Sequence, residues 1–262
     1  MGIKYEGVAR GIDEFIIKPK FSNKTEAYKQ FVKADALRIT NHFKESIKHY
    51  LSSIMIDRNN YRSYLGLGIA YKAEENFEKA IKMLEKAKSM SHFTAQIHHE
   101  LGICHLFLNN PCEAIKCFKT AIIIDKSNIN TQLQLGIAHE MLEEYDMAIL
   151  IYYSIIENEP TYLSAYHHLS ALYMRLDEFK AAGNVFTQML KINPDFYKAY
   201  LGLAICFDKM SNKKRAIHYY KLFLDKKPHS RHAARVKARI EKLKSQNSQN
   251  ELQLSDIQLA IV

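Results

Sequence analysis

Tryptophan is absent from this chain, and turn-formers are sparse, with five prolines and nine glycines in 262 residues. A β-sandwich or barrel needs a turn signal about every ten residues, so these counts argue against one. Long runs of alternating β-branched residues are scarce as well. Cysteine occurs only at 104, 112, 117 and 206. No CxxC pair is present, and the spacings suit neither a zinc ribbon nor a secreted disulfide framework. They predict reduced thiols. No apolar run approaches the ~20 residues of a membrane helix. The opening MGIKYEGVARGIDEF has no apolar stretch of the signal-peptide kind. Gly2 follows Met1, but Glu6 stands where a myristoylation signal takes Ser or Thr. Together these absences predict a cytoplasmic protein.

What is present is helix-forming. Apolar residues make up 47% and charged residues 25%, enough to fold most of the chain. Ala, Leu, Lys and Glu are abundant, which predicts an all-α protein. The formal charge of +9 is unevenly spread. Residues 211–262 carry 12 Lys/Arg against 4 Asp/Glu, while residues 61–210 carry 14 against 17.

The organisation comes from an internal repeat. YLGLGIAY (64–71), HHELGICH (98–105), QLQLGIAH (132–139), YHHLSALY (166–173) and YLGLAICF (200–207) start 34 residues apart. A second set follows at the same period: NFEKAIKMLEKA (76–87), NPCEAIKCFKTA (110–121), EYDMAILIYYSI (144–155), EFKAAGNVFTQM (178–189) and NKKRAIHYYKLF (212–223). Gly68, Gly102, Gly136, Ser170 and Ala204 keep the first helix small where the second crosses it. Ala80, Ala114, Ala148, Ala182 and Ala216 do the same from the other side. Pro160, Pro194 and Pro228 close their repeats. Asn110-Pro111 reads as an N-cap and a first-turn proline.

A 34-residue, two-helix period resembles the tetratricopeptide repeat (TPR) family. The resemblance covers 61–94, 95–128, 129–162, 163–196 and 197–230, with a degenerate copy at 27–60 carried by Ala34, Leu37, Phe43, Ser46 and Tyr50. It implies a right-handed superhelical solenoid of paired antiparallel helices. Residues 1–26 are expected to form an N-terminal arm or cap. Residues 231–244 are expected to form a basic capping helix, with Ala233, Val236, Ile240 and Leu243 on one face. Residues 245–262 are expected to be a flexible tail.

The stretch HHELGICHLFLNNPCEAIKCF (98–118) looks like a metal or thiol site. The repeat gives it another reading. His98 shares a column with Tyr64, Tyr166 and Tyr200. His105 and His139 share one with Tyr71, Tyr173 and Phe207, and Cys104 stands with Ala70, Ala138 and Cys206. Cys104 and His105 lie five and six residues past His99, so the zinc pattern HExxH is not met. No metal or cofactor is expected. No phosphate loop, GxGxxG or GxSxG occurs, and no enzyme is predicted.

In TPR proteins the first helices line the concave face, and their inward residues meet a peptide or partner helix. The resemblance assigns this role to Leu65, Ile69, His99, Ile103 and Phe107. It continues through Leu133, Ile137 and Met141, and through His167, His168, Leu201 and Ile205. The lysine–asparagine pairs that grip a terminal carboxylate in chaperone-binding members are missing. The asparagine ladder of sugar-transferase members is missing too. The predicted function is therefore a protein-interaction scaffold binding an apolar peptide or helix. The alternative is binding of nucleic acid or an anionic surface through the basic C-terminal helix and the basic patch it belongs to. Lys213, Lys214 and Arg215 open that patch, and Arg231, Arg235, Lys237, Arg239, Lys242 and Lys244 continue it. The tail ELQLSDIQLAIV also suggests self-association through a groove.

Overall fold

The structure, a computed structural model, describes residues 22–245. The expected N-terminal arm before residue 22 and the tail from residue 246 lie outside the described residues. Every regular element among the described residues is a helix.

The chain divides into two compact units, one ending at Leu142 and the other starting at Glu143. The first unit holds α1 (Ser22–Ile39), α2 (Phe43–Ile56), α3 (Tyr61–Ala73), α4 (Phe77–Met90), α5 (Ala95–Phe107), α6 (Pro111–Ile124) and α7 (Ile129–Met141). The second holds α8 (Tyr145–Asn158), α9 (Leu163–Arg175), α10 (Phe179–Ile192), α11 (Tyr197–Lys209) and α12 (Lys213–Lys226), followed by α13 over 233–245. The repeat at 129–162 contributes its first helix to one unit and its second to the other.

The turns between paired helices share one backbone feature. One residue adopts left-handed backbone at Asn41, Glu75, Asn109, Glu143, Asp177 and Ser211, with φ between 57° and 62°. None of the six is glycine, the usual residue for this conformation. The next amide reaches back to the carbonyl five residues upstream, as from Asn76 to Tyr71 (2.9 Å) and from Asn212 to Phe207 (2.8 Å). That bond satisfies a carbonyl the helix end would leave orphaned. The same residue then starts the second helix. The side chains of Asn76 and Asn212 accept from the amides of Lys79 and Arg215. Asn110 holds the N-cap position ahead of Pro111 without a side-chain bond.

Packing within a repeat sets small against large. Ala80, Ala114, Ala148, Ala182 and Ala216 are fully buried. A β-carbon added at Gly102 would meet the Phe118 ring at 2.4 Å, and one at Gly68 would meet Leu84 at 2.7 Å. Gly66 and Gly202 serve the contact between successive repeats. There the same test finds Tyr50 and Phe186, each at 2.4 Å. The large partners stand in one second-helix column, at 50, 84, 118 and 186. At Gly183 the nearest atoms are 3.9 Å away, so only some of the glycines are held by space.

Candidate protein-binding faces

Within 98–118, His98, Cys104 and Cys117 are packed into the fold, while Cys112 is exposed. The His98 ring nitrogen donates to the His92 carbonyl at 3.0 Å. Tyr166 and Tyr200, in the same column, donate their hydroxyls to the carbonyls of Pro160 and Pro194, also at 3.0 Å. In these three repeats a side-chain donor thus ties the first helix to the loop six residues upstream. Since a carbonyl can only accept, His98 must carry its proton on Nε2. Burial pushes the Cys104 thiol up to about 12 and the Cys117 thiol up to about 11, so both are protonated at neutral pH. Among the described residues no three His, Cys, Asp or Glu side chains converge as a metal site requires.

On the first unit, the residues assigned to the inner face divide by depth. Leu65 and Leu133 are buried. Ile69, Ile103, Ile137 and His99 are half-buried. Phe107 and Met141 stand out, with 67% and 40% of their surface exposed. Phe107 lies stacked on Phe77, with ring centroids 4.7 Å apart. His99 places Nδ1 2.9 Å from the Thr131 hydroxyl, and burial holds its pKa below the usual histidine range. The neighbouring Glu100 is buried and receives the Lys72 ammonium at 2.5 Å. This ion pair joins α3 to α5 across 28 residues of sequence. Sequence reasoning missed it, because each residue alone reads as a solvated helix charge.

On the second unit, His167 is exposed, while His168, Leu201 and Ile205 are half-buried. Ile205 and Leu201 pack on a cluster that includes Val236, Ile240 and Leu243 of α13. The four apolar positions of α13 are all buried. Most of the basic patch is exposed: Lys214, Arg215, Arg231, Arg235, Lys237, Lys242 and Lys244. Lys213 and Arg239 are half-buried. Lys244 pairs with Glu241.

Arg239 is a clamp within the fold. Its guanidinium grips both oxygens of Asp208, at 2.7 and 2.6 Å, and Tyr220 donates its hydroxyl to the same carboxylate at 3.0 Å. Bidentate pairing of this kind is among the stronger polar contacts. Burial by itself would raise the Asp208 pKa. The Arg239 and Tyr220 hydrogen bonds outweigh it and hold the group below the usual carboxylate range. Because the folded value is depressed, the stabilisation is complete above the unfolded-state pKa of about 3.9 and is lost as pH falls through the folded value. Urea unfolding of the protein and of Asp208→Asn is therefore expected to show a constant stability gap between neutral pH and about pH 5. The gap should shrink below about pH 4. A gap unchanged in acid would show that the carboxylate charge contributes nothing.

Among the described residues no helix is long and apolar enough to cross a membrane. The helical-repeat fold recurs in solved structures. PilW, a type IV pilus biogenesis factor, is 17% identical with a TM-score of 0.67, over 80% of this chain and 97% of that one. The C-terminal part of a TPR repeat-containing protein from Cytophaga hutchinsonii is 20% identical with a TM-score of 0.69, over 75% of this chain and 78% of that one. Pseudomonas aeruginosa PilF is 11% identical with a TM-score of 0.65, over 84% of this chain and all of that one. At these identities the likeness concerns the TPR fold. No curated protein matches the chain. The family profile described as Intraflagellar transport protein 56 matches residues 64–259. With three-quarters of its length under that match, the chain belongs to the intraflagellar transport protein 56 family.

Proposed function

We propose that the chain is a non-enzymatic adaptor of an intraflagellar transport assembly, holding an apolar peptide or helix of another protein against the first-helix face of its first unit. The observation that carries this reading is the exposure of Phe107 and Met141. They occupy equivalent positions on α5 and α7, one helical turn beyond the half-buried Ile103 and Ile137. An apolar segment laid across them buries large side chains at a recurring spacing, the helix-in-groove mode of recognition. Each Leu- or Phe-sized anchor contributes ~1.5–3 kcal/mol before ordering costs, so a few suffice for micromolar affinity.

The nucleic-acid reading of the basic patch has less support. The Phe207 ring stacks on Tyr219 at 5.4 Å, and the Arg215 guanidinium lies 5.3 Å from its centroid. That ring is already engaged within the fold, and stacking on aromatic rings is what single-stranded binders use. Self-association through the tail concerns residues outside the described part of the chain.

The test is co-purification. The tagged chain, recovered from its source cells, is expected to carry other intraflagellar transport proteins with it. A Phe107→Glu/Met141→Glu variant with unchanged helical circular dichroism should retain about tenfold less of them. Equal retention by both forms would overturn the assignment of the binding face.

A further inference from the structure

The second unit carries two adjoining clefts, of about 740 and 1050 Å³, which share Leu201, Ile205 and His232. Their volume is that of a site for several side chains at once. Leu201 and Ile205 make the shared floor apolar beside His232, and Ala171, Phe186 and Val236 extend that floor in the two directions.

The lining charge is nearly all of one sign. The larger cleft is lined by Lys198, Lys226, Lys227 and Arg231 and by no carboxylate. The smaller is lined by Lys209, Arg235, Arg239 and Lys242, with Asp208 as its one acid. Asp208 is already taken by Arg239 and Tyr220. Lys226 has a partner in Asp195, but both groups are exposed, and such surface pairs contribute little. Lys227 rests on the Tyr197 ring. Lys198, Arg235 and Lys242 form no ion pair among the described residues.

An apolar floor under uncompensated cations calls for a ligand with apolar side chains on one face and carboxylates on the others. We infer that these clefts dock an acidic, amphipathic segment of a partner protein, its Leu- or Ile-type side chains on Leu201 and Ile205 and its carboxylates against Lys198, Arg235 and Lys242. This rests on the reading of the chain as a protein-binding scaffold and gives its second unit a partner chemistry. A nucleic acid satisfies the cations but leaves the apolar floor uncovered, and the Tyr197 ring is occupied by Lys227.

The probe is a labelled synthetic peptide of about four helical turns, with Leu and Ile along one face and Glu elsewhere. Its Gln-for-Glu counterpart and a single-stranded oligodeoxynucleotide are the comparisons, all titrated against the full-length protein by fluorescence anisotropy. The Glu peptide is expected to bind about tenfold more tightly than the Gln peptide, and to lose that margin in added salt. Lys198→Glu/Arg235→Glu/Lys242→Glu, shown by thermal unfolding to remain folded, should weaken the Glu peptide by about tenfold or more. Phe107→Glu/Met141→Glu should leave it unchanged. Equal affinity for the Glu and Gln peptides would overturn the inference, as would tighter binding of the oligonucleotide. A full-length Glu251→Gln/Asp256→Asn variant that gains about tenfold for the peptide would assign the clefts to the chain's own tail and overturn a separate partner. Failure here alongside intact co-purification of transport proteins removes this inference and leaves the adaptor reading. The converse pattern removes the adaptor reading alone.

Discussion

Replacing Lys72 with methionine is expected to cost the protein about 3 kcal/mol, far more than an ordinary helix-surface lysine. The reason is what the change leaves behind. Glu100 is only 8% exposed, and the Lys72 ammonium at 2.5 Å is its counter-charge. A buried carboxylate that loses its partner keeps its full desolvation penalty. Lys72 itself is a quarter exposed, which places the effect toward the lower end of the range for broken buried pairs. Removing both charges tells a different story. Lys72→Met/Glu100→Leu should return to within about 1 kcal/mol of the parent, because the pair's attraction only roughly offsets its desolvation. Urea unfolding of the two single variants and the double variant decides the matter. A double variant no more stable than Lys72→Met would show that the site needs polarity for another purpose.

Phe118→Ala is expected to be comparably severe, at ~3–5 kcal/mol. Phe118 is fully buried, and its ring fills the space that Gly102 leaves open on α5. Truncation leaves a cavity whose walls are helices already committed to other contacts. Approached from the opposite side, Gly102→Ala brings a methyl group to 2.4 Å from the same ring. The overpacking costs ~1–3 kcal/mol and outweighs the gain of about 1 kcal/mol in helix propensity. Gly183→Ala is the control. Its β-carbon finds nothing closer than 3.9 Å, so only the propensity gain remains, and that variant should be more stable than the parent. If thermal unfolding shows Gly102→Ala and Gly183→Ala moving the same way, close packing is not what keeps glycine at 102.

These two sites mark the boundary of what the residue order discloses. The repeat, its helix pairs and its small-residue columns are legible because they recur at 34 residues, and a burial pattern that recurs must be structural. The reading of His98 as a packing residue follows the same logic, and the shared bond to a carbonyl six residues upstream gives it a physical reason. Depth was not legible. Ile69 and Leu65 lie one helical turn apart on α3, yet one is half-buried and the other buried, since neighbouring helices cover the face unevenly. The pairs Lys72–Glu100 and Arg239–Asp208 were also invisible. Their members lie 28 and 31 residues apart, and neither recurs in the other repeats to betray itself. Arg239 reads as one cation among nine in the basic patch, but its guanidinium is spent on holding α13.

The turn between paired helices has a consequence on another scale. Six times the backbone takes one left-handed step at the same place, on Asn, Glu, Asp or Ser, and begins the next helix one residue later. Where two junctions share this step and the bond behind it, a recombination that joins the front of one turn to the back of the other leaves the junction's conformation intact. What changes is the number of 34-residue units between them. For a gene encoding such a chain, length is a heritable variable separable from fold, and new faces arise by copying whole repeats and letting their exposed side chains diverge.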